Sequence, residues 1–201
     1  MRDATIGVDY SMSSPSVCVS RDGKIQFFYV NANEKLCHSF EHGNVSVIGI
    51  HYNSANINNQ KKVKLRERHT DTERFITLSL IFDKFIGETE TEETAVFEAY
   101  AFGAKGRLAQ IGENTGTLKA VLKSKGYKIE TISPTTVKKY AFGSGKAEKT
   151  DMADMWFAEF GFHVHEYLAC DKGASPASDV IDSYYVLEAW KNAPEDSEEK
   201  G

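Results

Sequence analysis

Between Thr5 and Val19 the chain reads TIGVDYSMSSPSVCV: apolar, then an acid, then small turn formers, then apolar again. The apolar flanks, several of them β-branched, favour paired strands, and Ser11, Ser13, Ser14 and Pro15 supply the turn between them. The segment is therefore expected to be a strand, a tight turn and a second strand. Asp9 closes the first strand at an exposed end, where a carboxylate serves as a turn former, a metal ligand or a group facing phosphate. Alone it does not say which, and any partners must come from elsewhere in the chain.

The periodicity that follows sets the fold class. Lys24 to Val30 (KIQFFYV) is a third strand, entered through the Asp22–Gly23 turn, so the chain opens with a three-strand meander. Residues 31–43 read as irregular, and Val45 to Tyr52 (VSVIGIHY) as strand-like. The polar, Asn-rich Asn53 to Gln60 cannot easily pack in a core. Lys61, Lys62, Lys64, Arg66 and Arg68 then alternate with Val63 and Leu65, as in an exposed strand, an arm or a solvated face. Residues 43–68 are thus read as an inserted basic arm or hairpin.

From Thr70 to Phe85 the period changes. Phe75, Leu78, Ile81, Phe82 and Phe85 recur at helical spacing, with Thr70 or Asp71 as cap. A short buried strand, Thr94 to Glu98 (TAVFE), precedes a helix from about Arg107 to Lys125, and Ile129 to Ile132 is the next strand. Pro134 opens a short helix to Tyr140, the loop GSGKAEK follows, and Lys149 to Phe160 is helical with Met152, Met155, Trp156 and Phe160 along its core side. A last helix runs from about Ser178 to Lys191 and stops before Pro194. His163 and His165 alternate as strand residues do. This order predicts an α/β fold: a mixed sheet, antiparallel meander plus parallel strands, with helices on both faces.

With 201 residues, 41% of them hydrophobic, the chain can bury one core, so residues 1–192 read as a single domain. Glu195, Asp196, Glu198 and Glu199 make 193–201 an acidic tail without a packing face. A net charge of −5 does not announce a nucleic-acid binder, but local charge matters more than the sum. Three widely spaced cysteines without a CxxC pair argue against a disulfide framework and against a zinc ribbon. No apolar run approaches the roughly 20 residues that span a bilayer, and Met1 is not followed by a signal-peptide core. A cytoplasmic protein with no membrane partner is expected.

Two further acidic positions fall where Asp9 can use them. Glu98 ends TAVFE much as Asp9 ends TIGVD, and a crossover connection places such strands parallel, with both acids at one sheet edge. Either acid is equally the solvated terminus of a buried strand. Asp179 and Asp182, in SDVIDSYYVLEAW, lie three apart in the first turn of the last helix, hence on one face. The helix dipole favours acids there whether or not they do chemistry. Their face continues into apolar Val186 and Ala189, so at least one points toward the sheet, and an inward acid needs a cation. Carboxylates converging in this way repel by roughly 4 kcal/mol per pair at 4 Å and an effective dielectric of about 20. All-oxygen ligation points to Mg²⁺ or Mn²⁺ rather than zinc. Two such ions roughly 3.5–4 Å apart are the common device for hydrolysing phosphodiesters.

The GxDxS-type first strand, the strand-end Glu98, the segment VKKYAFGSGKAEKTDM and the final DxxD helix together resemble the RuvC-type Holliday junction resolvases of bacteria and their phages, in the ribonuclease H-like superfamily. The resemblance covers nearly the whole chain. It implies that Asp9, Glu98, Asp179 and Asp182 are catalytic and hold two Mg²⁺ ions, and that Lys138 and Lys149 occupy the basic positions of a DNA-contacting segment. It further implies a homodimer that cuts four-way (Holliday) DNA junctions, with the helix around Leu108 to Leu122 in the dimer interface. Lys139 and Lys146 flank the same glycine loop and are expected to face phosphates with them. Two departures stand out. Past Glu98, Tyr100 and Phe102 are both available as the junction-opening aromatic, with Phe102 favoured, and neither aligns without a one-residue shift. The 43–68 stretch is longer than the family pattern, which points to a phage branch, with Arg66 and Arg68 as extra DNA contacts. The alternatives are cleavage of forks, flaps or RNA–DNA hybrids by the same acids, or non-catalytic junction binding.

Overall fold

The computed structural model describes residues 4–52, 71–89, 93–100 and 108–193. Seven strands form one sheet: β1 (Ile6–Asp9), β2 (Ser16–Arg21), β3 (Lys24–Asn31), β4 (Phe40–His42), β5 (Val45–His51), β6 (Thr94–Glu98) and β7 (Lys128–Ile132), in the spatial order β4-β5-β3-β2-β1-β6-β7. The meander β1-β2-β3 is antiparallel, and β6 and β7 extend it in parallel beyond β1, as the alternation of strands and helices predicts. Asp22, at a φ of 51°, and Gly23, at 73°, make the tight turn between β2 and β3.

The helices divide between the faces. On one side, α1 (Asp71–Ile86) and α2 (Leu108–Ser124) cover Ile6, Val8, Val17, Val19, Phe28 and Phe97, to which α1 adds Leu78, Ile81 and Phe82. The other face carries α3 (Pro134–Phe142), α4 (Lys149–Phe160), α5 (Val164–Tyr167) and α6 (Ala177–Lys191). Met152 and Trp156 lie in this second core and Met155 and Phe160 pack against it, so the methionine and aromatic stripe is structural. Trp156 meets Phe27 and Tyr184 edge-on, each at 5.5 Å between ring centroids.

α6 fixes the geometry that matters most. It is buried on nearly all sides, from Ala177 through Ala189, and crosses β1 at Gly7. A Cβ on Gly7 would stand 2.2 Å from the Ser183 carbonyl oxygen and 2.7 Å from Leu187 Cβ, so only glycine admits the helix this close. Ser16 and Ser183 add a hydroxyl pair at 3.2 Å between β2 and α6.

One expectation is given its place and another corrected. Within residues 43–68, Val45 to His51 forms a hairpin with β4 and lies parallel to β3 on the outer side of the meander, paired from Ile25↔Val45 to Asn31↔His51. Its apolar residues therefore continue the core, while 53–70, including Arg66 and Arg68, lie outside the described residues. His163 and His165 are not strand residues. His163 caps α5 and His165 lies within it, with the His163 ring stacked 4.2 Å from Phe157. Among the described residues no helix is long and apolar enough to cross a membrane.

Candidate active site

Strand alternation decides where the two strand-end acids point. Ile6 and Val8 face the α1–α2 core and Gly7 faces α6, so Asp9 faces α6 as well. In β6, Ala95 and Phe97 face the α1–α2 core and Val96 the other, which puts Glu98 on the α6 side. The parallel register Ile6↔Ala95, Gly7↔Val96, Val8↔Phe97 carries on to bring Asp9 and Glu98 side by side at the ends of neighbouring strands. Above them α6 begins, with Asp179 and Asp182 in its first two turns.

The electrostatics record the convergence. Burial, and then the charges of Asp182, Asp179 and Glu98, push the Asp9 carboxyl well above the usual carboxylate range, against the opposing pull of Lys149. Asp182 is pushed up to about 7, chiefly by burial and further by Glu98 and Asp179, while Lys149 and Lys138 pull it down. Burial also raises Glu98, opposed by Lys138 and Lys149. It raises Asp179 too, opposed by a hydrogen bond from Ser175 and by Lys149. Four acids thus share one poorly solvated space that side-chain cations neutralise only in part.

Lys149, the first residue of α4, is the nearest of these cations. Its ammonium donates to Ser178 Oγ at 2.9 Å and lies 4.0 Å from Asp179 Oδ1. The loop before it is held at both ends: Gly143 ends α3 in the left-handed conformation, with a φ of 80°, and buried Ala147 anchors the turn into α4. Glu148 N–H donates to Asp151 Oδ2 at 2.8 Å in a capping box. Lys138 is half-buried on α3, close enough to act on Glu98 and Asp182, whereas Lys139 and Lys146 are exposed.

No family model matches the chain, and no curated protein sequence matches it. Among solved structures it superposes on Thermus thermophilus RuvC with a TM-score of 0.50 and 17% identity, covering 93% of this chain and 94% of that one. A second match is T. thermophilus RuvC in complex with Holliday junction substrate, with a TM-score of 0.49 and 15% identity over 94% and 95% of the two chains. The fold is of the RuvC type.

Within this RuvC-type, ribonuclease H-like sheet, the four acids suit a hard divalent cation by their chemistry: all are carboxylates, and their burial leaves negative charge uncompensated. They act on one another through charge and do not form a closed cage. Among the described residues no three His, Cys, Asp or Glu side chains stand close enough to coordinate one ion as they are. A cleft of about 330 Å³ opens beside Asp9 and Glu98 over the strand ends, with Tyr10, Met12, Tyr100 and Thr115 in its wall. Of the two aromatics expected past Glu98, Tyr100 lines this cleft, with Lys119 Nζ 5.7 Å from its ring centre, and Phe102 lies outside the described residues.

The sequence reading overlooked the hydroxyls that serve the acids. Ser175 donates to Asp179, Ser178 accepts from Lys149, and buried Ser14 beside Asp179 weakly opposes the rise that burial imposes on its carboxyl. The Ser-Pro-Ala-Ser run immediately before Asp179 was the available signal, because serines ahead of a helix commonly turn back onto its first residues.

Proposed function

We propose that this chain is a structure-selective endodeoxyribonuclease that resolves four-way DNA junctions by metal-dependent hydrolysis of phosphodiesters. One observation carries the reading: Asp9 and Glu98 end adjacent parallel strands, and the charges of Asp182, Asp179 and Glu98 all act on the buried Asp9 carboxyl. Asp9, Glu98, Asp179 and Asp182 are the residues that would hold Mg²⁺ or Mn²⁺, which when bound supplies an activated water and Lewis-acid stabilisation of the leaving oxygen. Lys149 stands beside Asp179 and donates to Ser178, and it lowers the proton affinity of all four acids, with Lys138 adding to this at Glu98 and Asp182; both lysines thus partly oppose the rise that burial imposes. Exposed Lys139 and Lys146 continue the basic surface that would follow the phosphate backbone. Water attack on phosphorus would leave a 5′-phosphate and a 3′-hydroxyl.

The reading includes a homodimer, which paired incisions require. α2 supports it with an outer face of small residues: Ala109, Gly112, Gly116 and Ala120 share one side of the helix, and a Cβ on either glycine would meet nothing within 4 Å. Mid-helix glycine costs about 1 kcal/mol relative to alanine, and such a smooth face lets a second helix approach closely.

The deciding experiment offers labelled four-way junctions, forks, flaps and RNA–DNA hybrids to the wild type and to Asp9→Asn, with Mg²⁺. The expected result is paired symmetric nicks in the four-way junction, lost in Asp9→Asn with binding retained. Cleavage undiminished by Asp9→Asn overturns the site, and preferential cutting of another substrate overturns the junction assignment.

A further inference from the structure

Beside the acidic site, and separated from it by Met12, lies a second and smaller cleft that none of the catalytic residues uses. Met12 lines both spaces. The smaller cleft, of about 50 Å³, is lined by Ser13, Tyr52 and Arg74 together with apolar Val30 and Leu78. One water needs roughly 10–15 Å³ by the same measure, so the space admits a larger group.

Among the described residues, two of its buried polar atoms have no hydrogen-bond partner. Tyr52 is only 7% exposed, and its hydroxyl is buried without a hydrogen bond. The position is set by the backbone, since Tyr52 N–H donates to the Asn31 carbonyl at 3.0 Å at the end of β5. Arg74, in the first turn of α1, likewise buries its Nε with no acceptor. Its guanidinium lies 5.1 Å from the ring centre of Phe75, and among the described residues it meets Asp71 in a loose ion pair of 3.4 Å from a terminal nitrogen. Asp71 is half-exposed and also accepts from Gln110 Nε2 at 3.2 Å, so it does not fully answer the arginine.

An unsatisfied buried donor costs about 1–3 kcal/mol, and here two of them line one small space beside a hydroxyl-bearing turn. Arginine Nε can only donate. The complementary group is therefore an acceptor with negative charge and oxygens pointing in several directions. We infer that Tyr52, Arg74 and Ser13 form a subsite for a phosphate group, occupied by a backbone phosphate of the DNA strand that crosses the acidic site. The choice of DNA as the source rests on the nuclease reading above; the phosphate chemistry does not. Because Met12 is the common wall, a phosphate seated here belongs to a nucleotide neighbouring the one attacked, and the subsite sets the register of the strand over Asp9 and Glu98.

Two variants test this in the full chain. Tyr52→Phe keeps the shape and removes the hydroxyl, and Arg74→Gln removes the charge. Tyr52→Phe should bind a four-way junction about tenfold more weakly, as for loss of a hydrogen bond to a charged group, with its melting temperature unchanged or raised. Arg74→Gln should lower the slope of log affinity against log salt by about one phosphate contact. Because the subsite sets the register, at saturating junction both should also cut the strand at shifted or more scattered positions than the wild type. Unchanged affinity in Tyr52→Phe together with an unchanged salt slope in Arg74→Gln overturns the subsite and leaves a hydrated gap. Should the wild type bind no junction at all, the nuclease reading fails and inorganic phosphate tests the subsite separately. An Arg74 Nε–H resonance that shifts on phosphate addition in the wild type and not in Tyr52→Phe supports it; a resonance indifferent to phosphate overturns it.

Discussion

Asp182 gives the most direct test of how the acids are held. Its carboxyl titrates near 3.8 when unperturbed and is pushed up to about 7 in the fold, mainly by burial. The folded state therefore binds a proton that the unfolded chain has already released between these two values, so metal-free stability falls as pH rises through that window. At about 1.36 kcal/mol per pH unit, the loss approaches 4 kcal/mol by pH 8. Since the four acids titrate together, this figure belongs to the cluster as a whole. The perturbation is Asp182→Asn, and the assay is denaturant unfolding of both proteins in chelator across pH 4 to 8. Taking the difference between the two proteins cancels the acid sensitivity of other groups, such as Glu93, whose carboxyl is held down by hydrogen bonds from Arg21 and Thr5 despite partial burial. The variant should gain on the wild type progressively with pH and be the more stable of the two at pH 8, by at most the cluster's figure of about 4 kcal/mol. Mg²⁺ added at pH 8 should then raise the wild type's stability, because a ligand that binds only the folded state stabilises it, and should have less effect on the variant. A difference that does not change with pH, or a variant less stable than the wild type at pH 8, would refute the reasoning.

Three more expectations follow from the same geometry. Gly7→Ala places a Cβ 2.2 Å from a backbone oxygen of α6, which cannot swing aside, and should cost about 3 kcal/mol or more, read as a lowered denaturation midpoint. Lys149→Gln removes a cation that lowers the proton affinity of all four acids, so the acid limb of the cleavage–pH profile should move to higher pH, while a profile that keeps its position assigns Lys149 to DNA contact alone. Gly116→Leu should stabilise α2 by roughly 0.8–1 kcal/mol through helix propensity while breaking the proposed dimer, as measured by sedimentation; a dimer that survives removes that face from the proposed interface.

The main parts of the site could be read from local pattern because each acid ends or begins a regular element. TIGVD and TAVFE alternate cleanly enough to give both the strands and their ends, and the three-residue spacing of Asp179 and Asp182 gives one helix face. What escaped depends on distant parts of the chain. β5 shows its strand character in VSVIGIH, but its parallel pairing with β3 is a long-range register with no local signature. β4 is three residues, Phe40–His42, two of them polar, too short for periodicity to register. Val164 and Leu168 bury one side of the α5 turn, a period that the alternating His163 and His165 disguise. The hydroxyls of Ser14 and Ser175 gain meaning only once α6 has docked beside the β1–β2 turn.

That docking also orders the assembly of the protein in time. α6 supplies Asp179 and Asp182 and covers β1 and β2, yet it leaves the ribosome after every strand of the sheet. Until it arrives, Gly7 and its neighbours present an uncovered apolar surface, and Asp9 and Glu98 have no opposing acids. A nascent chain consequently exposes that surface for the interval, and its four acids come to share one space only when its last packing step is complete.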